Sequence, residues 1–352
     1  MDTYDVAIIP GDGIGPAVTE AALSVLDHLG EMHGFALERS TYDWGTERYL
    51  ETGSMMPDDG LERLESTDAI FLGAVGHPDV PDHVTLNGLL LPIRKGFDQY
   101  VCKRPNVLYE GIESPLRGYS NGDIDLVVYR ENTEGEYANI GGREHRGFDH
   151  EVAVQSAVFT RSGTERIVRR AFEAADRRDG RLTSITKSNA QAHSMVFWDD
   201  VVDEVSEEFA NVAVDRLLVD RASMDLVRRP ESFDVLVASN LFGDIITDIA
   251  GIVTGSLGLA PSGNINPDGT YPSMYEPVHG SAYDIVGENC ANPLASVLTG
   301  AMLLDDLVGG AVGETLRDGV ESLLADPNAP KTPDLGGSAS TDDVVAALID
   351  RL

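Results

Sequence analysis

Lysine is almost missing from this chain of 352 residues: only Lys95, Lys103, Lys187 and Lys331 occur. Basic residues total 26 against 59 acidic ones, a formal net charge of -33. No basic stripe exists to neutralise phosphates, which argues against nucleic acid as a partner. Cys102 and Cys290 are the only cysteines, so no disulfide framework is expected. No apolar run approaches the ~20 residues of a membrane span. The start, Met1-Asp2-Thr3-Tyr4-Asp5, has neither a basic nor an apolar leader region. A soluble, cytoplasmic protein with no membrane partner is the expectation.

What is present completes the outline. A hydrophobic fraction of 42% argues against disorder despite the charge. The length can bury a large core, as two domains or one big α/β unit. The acids are scattered and form no tail. Such a surface suits a halophile's protein, because dense carboxylates stay hydrated in molar salt and repel one another when salt is withdrawn.

Apolar Val6-Ala7-Ile8-Ile9 reads as a buried strand, followed by the loop Pro10–Pro16 and helical periodicity over 17–29. Further strands are expected at 69–75, 125–129 and 234–238, with helices at 163–176, 194–209 and 293–308. That alternation indicates α/β architecture with a largely parallel sheet. Residues 131–160 break the pattern. Gly135, Gly141, Gly142 and Gly147 punctuate them, and Val152, Val154, Ser156 and Val158 alternate with other residues. An antiparallel excursion, in the form of an arm, is the reading there. The stretch Asp326–Thr341, rich in Pro, Gly and Ser, is expected to be the most flexible. Gly11, Gly13 and Gly15 lack the Gly-x-Gly-x-x-Gly spacing, with Pro16 in the way, so a Rossmann site is not expected.

The densest chemistry lies in Asp234–Asp248. An apolar strand ends in Ser239-Asn240, a helix begins, and Asp244 and Asp248 fall four apart on one face. Two carboxylates at that spacing can share a hard cation. Asp220, closing Leu217-Leu218-Val219-Asp220, could be a third carboxylate, or only a cap or turn residue. Arg94, Arg104 and Arg130 stand where guanidinium forks could grip carboxylates, although any one of them could instead pair with a surface acid. Lys187, in Thr186-Lys187-Ser188-Asn189, could be a base or one half of an ion pair.

Together these segments resemble the decarboxylating β-hydroxyacid dehydrogenase family, which includes isocitrate, 3-isopropylmalate, homoisocitrate and tartrate/D-malate dehydrogenases. The likeness runs from Ile9-Pro10-Gly11-Asp12-Gly13-Ile14-Gly15 to Thr332-Pro333-Asp334-Leu335-Gly336-Gly337. It includes residues 130–137, 186–189 and 239–248 and Glu276-Pro277-Val278-His279-Gly280-Ser281-Ala282. The resemblance implies a two-domain isopropylmalate-dehydrogenase-like fold with a large mixed, mostly parallel sheet. It implies a larger cofactor-binding part (1–98 plus 256–352) and a smaller part (99–255) for substrate, metal and dimerisation. It also implies a homodimer with shared active sites, a tetramer being possible, in which residues 131–160 form an intersubunit clasp.

The roles implied are specific. Arg94, Arg104 and Arg130 would hold the carboxylates of a malate-type hydroxy acid. Asp220, Asp244 and Asp248 would bind Mg2+ or Mn2+. Lys187 would help to remove the hydroxyl proton, and Tyr137 would protonate the enolate left by loss of CO2. Lys187 and Asp220 would come from the partner subunit. The cofactor would lie along His279, Gly280, Ser281, Ala282, Asp284, Ile285 and Asn292, with Asn189. Asp284 matches the acid of NAD-dependent members and would repel a 2′-phosphate, so NAD is expected. Tyr283 departs from the usual Pro.

The segment before Arg94 sets the substrate in this family. Isocitrate members carry Ser and Asn where this chain has Gly88 and Leu90. Isopropylmalate members carry a Leu pair, matched by Leu90 and Leu91, and a Glu replaced here by Asn87. Tartrate/D-malate members often carry Trp at that position. The wider wording of residues 97–101, 239–244 and 266–274 favours the tartrate/D-malate branch, with 3-isopropylmalate as the alternative and isocitrate or a non-catalytic regulatory subunit behind it. Cys102-Lys103 departs from the usual Asn-Leu beside Arg104.

Overall fold

The computed structural model describes residues 2–352. Twelve strands form: β1 (Asp2–Gly11), β2 (Phe35–Thr41), β3 (Ala69–Ala74), β4 (Val101–Val107), β5 (Asp125–Glu131), β6 (Gly141–Glu144), β7 (Val152–Gln155), β8 (Arg181–Thr186), β9 (Ala213–Leu218), β10 (Val235–Ala238), β11 (Gly263–Ile265) and β12 (Ser273–Tyr275). Among the described residues, eight helices have nine residues or more. They are α1 (Gly15–His33), α2 (Arg161–Asp176), α3 (Ser194–Ser206), α4 (Val219–Arg228), α5 (Asn240–Val253), α6 (Leu294–Leu307), α7 (Gly310–Ala325) and α8 (Thr341–Ile349).

Ten strands make one sheet in the order β2-β1-β3-β12-β11-β4-β5-β10-β8-β9. Both outer parts are parallel, and their inner strands β3, β5, β8 and β10 are buried along almost their whole length, as strands covered on both faces should be. The pairings β12–β11, β11–β4 and β4–β5 are antiparallel, so the direction of the sheet changes at its middle. One apolar core gathers residues 100–250 around Trp198, Phe172 and Ile246. Others gather residues from both ends of the chain, around Leu26, Leu298 and Leu316 and around Trp44, Leu72 and Ile93. The middle of the sheet is therefore where these cores meet, and it carries Arg104 on β4 and Arg130 on β5.

The fold matches the α/β expectation, and most elements lie within a few residues of their expected places. The antiparallel excursion also forms: β6 and β7 pair only with each other and stand exposed. One correction arises. The segment Asp326–Thr341 is tied down, since Lys331 Nζ donates to the Gly111 carbonyl at 2.5 Å and Thr332 is fully buried. Asp220 lies beyond the end of β9 in the first turn of α4, near the cap position that its sequence context offered as an alternative.

Candidate active site

The turn from β10 into α5 builds the centre of the site. Ser239 caps the helix in an extended conformation, and its hydroxyl donates to Glu136 at 2.8 Å. Glu136 also accepts from the Leu241 N–H at 3.1 Å, a carboxylate at a helix N-terminus where charge complements the dipole. Gly243 faces Arg130 so closely that a Cβ would lie 2.6 Å from Arg130 Cγ. This glycine lets the arginine lie flat against α5.

Arg130 is 1% exposed. Its Nη1 donates to Asp244 Oδ1 at 2.6 Å, and its Nε and Nη2 both reach Asn240 Oδ1. Arg104, also buried, reaches Thr247 Oγ1 at 2.6 Å and Ser262 Oγ at 3.3 Å, with Asp244 at 3.5 Å. Arg94 is buried against Glu276, which also accepts from Asn264 Nδ2 at 3.0 Å. Tyr137 donates its hydroxyl to Asp244 Oδ2 at 2.7 Å, and Lys95 Nζ holds the Tyr137 carbonyl at 2.8 Å. The three arginines, Tyr137, Asp244 and Glu276 line a cleft of about 190 Å³ together with Leu72, Val75, Leu86, Leu90, His279 and Gly280.

Three guanidiniums lining one cleft against the carboxylates of Asp244 and Glu276 leave a net positive field that suits an anion. Burial alone would push the Asp244 carboxyl up, but Arg130 and Arg104 outweigh it and hold Asp244 below the usual carboxylate range. Asp248, one turn along α5, is displaced the other way by burial and by Asp244. Burial, aided by the bond to Asp244, pushes Tyr137 up to about 12. Burial likewise pushes Glu131, at the end of β5, up to about 7, against three hydrogen bonds from Thr133 and Glu134.

Lys187 and Asp220 are brought together, but not to this cleft. Lys187 Nζ meets Asp220 Oδ1 at 2.5 Å beyond the ends of β8 and β9, and neither lines the cleft. That ion pair holds Asp220 below its ordinary range. Asn189 is exposed on the turn next to Lys187. Among the described residues, no three His, Cys, Asp or Glu side chains lie close enough to hold a metal ion. Within one chain, Asp244 and Asp248 supply oxygen donors suited to a hard cation, and Asp248 makes no hydrogen bond among the described residues.

The expected cofactor loop crosses the end of the same cleft. His279 Nε2 is buried without a partner, while Nδ1 contacts the Gly280 carbonyl at 3.0 Å. Burial lowers the His279 pKa, which favours a neutral ring. Gly13, with φ +63°, lies so close to the Ser281 carbonyl that any side chain would collide with it. The Ile14 N–H donates to that carbonyl at 2.8 Å, joining the loop after β1 to this one. Ala282 is left-handed, and Ile285 packs on Ile14, Val18 and Ala291. Asp284 is exposed with no partner among the described residues, and Asn292 is held by Asp334 at 3.0 Å. An orphaned imidazole nitrogen and a free carboxylate are groups that a diol-bearing cofactor could engage.

Three neighbours of Arg94 and Arg104 fall outside the expected arrangement. Asn87 is exposed and donates to the His83 carbonyl at 2.7 Å, so it does not line the cleft. Residues 86–90 form a wide π-turn, which aims Leu86 and Leu90 inward and leaves Leu91 buried outside the lining. Lys103 points to the opposite face of β4 from Arg104, so only Cys102, 3.6 Å from Ser262 Oγ, adjoins the arginine. Sequence reasoning assigned no role to Glu276, Asn240, Thr247 or Lys95. Glu276 stood within a recognised motif, which was a usable signal.

A model of the family described as isocitrate/isopropylmalate dehydrogenase matches residues 5–348. The chain is 48% identical to the D-malate dehydrogenase [decarboxylating] of Escherichia coli, covering 99% of this chain and 98% of that protein. It is 48% identical to a probable tartrate dehydrogenase/decarboxylase of Agrobacterium vitis, covering 100% and 98%. The crystal structure of isocitrate dehydrogenase from Methylococcus capsulatus superposes with a TM-score of 0.89 at 32% identity, covering 99% of each chain.

Proposed function

This chain belongs to the isocitrate/isopropylmalate dehydrogenase family, and we propose that within it the chain is an NAD-dependent, divalent-metal-dependent decarboxylating dehydrogenase of a tartrate- or D-malate-type hydroxy acid. The observation that carries this reading is the cleft holding buried Arg94, Arg104 and Arg130 beside Asp244 and Tyr137. Relatives named for tartrate and D-malate, at 44–48% identity over almost the whole chain, support the substrate branch.

The residues divide the work as follows. A dicarboxylate entering the cleft replaces Asp244 as the counter-charge of Arg130 and Arg104, which frees Asp244 oxygens for a cation. When bound, Mg2+ or Mn2+ at Asp244, Asp248 and Asp220 of a second copy supplies Lewis-acid polarisation, and NAD beside His279–Ile285 and Asn292 supplies the hydride acceptor. Lys187 of that second copy takes the hydroxyl proton as the carbon–hydrogen bond gives up its hydride. Tyr137 then delivers a proton to the carbon from which CO2 has left. Asp284 offers a carboxylate to ribose hydroxyls and repels a 2′-phosphate.

A homodimer follows from the same reading. Apolar side chains stand exposed on the arm (Ile140, Val152, Val154), on α4 (Met224, Val227) and on α5 (Ile245, Ile252), the elements that carry Asp220 and Asp248.

A second reading, 3-isopropylmalate as substrate, is favoured by the apolar wall of Leu72, Val75, Leu86 and Leu90. Comparing NAD reduction on D-malate, the tartrates, 3-isopropylmalate and isocitrate in molar KCl with Mg2+ or Mn2+ separates the two. Fastest turnover on D-malate or a tartrate is expected. Fastest turnover on 3-isopropylmalate would overturn the substrate assignment, and no turnover on any of them would overturn the enzymatic one.

A further inference from the structure

Behind the substrate cleft, on the opposite face of the sheet, lies a second cavity of about 320 Å³. Its floor is apolar: Val107 and Val127 from the central strands, Ala174 from α2, and Leu298 and Met302 from α6. Four of the chain's 26 basic residues line it: Lys103, Arg177, Arg178 and Arg317. In a molecule of net charge -33, cations are scarce, and gathering them in one concavity is not expected from chance surface placement.

Two of these cations are already engaged. Arg178 pairs with Asp234 at 2.6 Å and Asp125 at 2.9 Å, and Arg317 pairs with Asp305 at 2.9 Å. Lys103 and Arg177 have no ion pair or side-chain hydrogen bond among the described residues, although acids surround much of the chain. The Tyr109 and Tyr129 hydroxyls, on the same lining, likewise have none. Tyr129 sits directly across from Lys103 in the β4–β5 register. Among the described residues Asp305 is the only acid on the lining, and its two oxygens accept from Arg317 at 2.9 and 3.0 Å. The unspent capacity of the cavity is therefore one ammonium, one guanidinium and two phenol hydroxyls, above an apolar floor. Burial disfavours the Lys103 ammonium, the nearby Asp305 and Asp306 carboxylates offset this only in part, and an entering anion would relieve the remaining cost.

We propose that this cavity is a binding site for a small organic anion with an apolar body, a monocarboxylate bearing a branched or aromatic group. The carboxylate meets Lys103 Nζ and Arg177, the phenol hydroxyls of Tyr109 and Tyr129 complete its shell, and the apolar body fills the floor over Val127, Leu298 and Met302. The size is at the lower end of small-molecule pockets, which fits a compact metabolite better than a nucleotide. The site is separate from the substrate cleft, because β4 aims Arg104 to one face and Lys103 to the other.

The test uses 3-phenylpropionate as probe, with 3-phenylpropan-1-ol (the body without the charge) and acetate (the charge without the body) as controls. Binding to the whole protein is measured by calorimetry in molar KCl, where a part-buried pair is screened less than a surface one. The expected result is at least tenfold tighter binding of 3-phenylpropionate than of either control, weakened at least tenfold by Lys103→Met. In a parallel measurement the wild-type protein is acetylated with acetic anhydride. The probe should slow modification of Lys103 and leave Lys331 unchanged. No binding of the probe, binding equal to that of the alcohol, an unaffected Lys103→Met variant, or no protection of Lys103 would each overturn the proposal.

Discussion

Tyr137 donates its hydroxyl to Asp244 Oδ2 at 2.7 Å while Arg130 grips the other carboxylate oxygen at 2.6 Å. One aspartate is thus shared between the proposed general acid and a guanidinium proposed to bind substrate, and Lys95 Nζ donates to the tyrosine's carbonyl. Tyr137→Phe keeps the ring and removes only the transferable proton. Its kcat should fall by about 10²–10⁴-fold, the usual contribution of a positioned acid, with the thermal midpoint within a few degrees of wild type. Steady-state kinetics beside a melting curve checks this, and an unchanged kcat would remove Tyr137 from the mechanism.

Lys187 and Asp220 pair with each other away from the cleft that holds Tyr137. If each site takes these two from the second copy, Lys187→Ala and Tyr137→Phe homodimers are both inactive, yet a mixed dimer has one competent site. Co-expressing the two variants under different tags and purifying the mixed dimer should recover about half the wild-type activity per dimer, as two-fold symmetry requires. Activity no higher than in the parents would mean that the site is not shared in this way.

How much of this was legible beforehand depends on the distance over which a signal acts. The strand, turn and helix of 234–248 were readable because apolar run, cap and carboxylate spacing are all local. The contact of Arg94 with Glu276 spans 182 residues, and no pattern in either segment announces it. Asn87 was misplaced for a different reason. A wide turn over Leu86–Leu90 shifts the phase of the chain, so spacing counted back from Arg94 points to the wrong face. The Pro- and Gly-rich tail of the family motif looked flexible by composition, yet Asp334 accepts from Asn292 at 3.0 Å and Ser256 at 2.6 Å. Alternation along β4 was available from the start, and it alone would have turned Lys103 away from Arg104.

Glu131 gives a pH prediction. Its carboxyl is buried and pushed up from 4.5 to about 7, so the folded state holds a proton that the unfolded chain releases at lower pH. Its contribution favours folding most below pH ~4.5 and weakens as pH rises toward 7, by about 3 kcal/mol for a shift of this size. Glu131→Gln removes the ionisation. The difference in thermal midpoint between variant and wild type should move in the variant's favour from pH 5 to pH 8. A difference that stays constant with pH would show that Glu131 does not titrate in this range.

A net charge of -33 on one chain gives a salt prediction. At 1 M salt the Debye length is about 3 Å, and at 0.01 M about 30 Å, so dilution lets carboxylates across the whole surface repel one another. The thermal midpoint and the dimer should both be lost progressively below roughly molar KCl. Light scattering and melting curves over a KCl series check this, and full stability in dilute buffer would contradict it.

The most direct test of the central claim is to count NADH and CO2 together during turnover of D-malate and each tartrate in molar KCl with Mg2+ or Mn2+. Oxidative decarboxylation predicts one CO2 for every NADH on the preferred substrate. NADH formed without CO2, or CO2 released without NADH, would contradict the coupled reaction at this site.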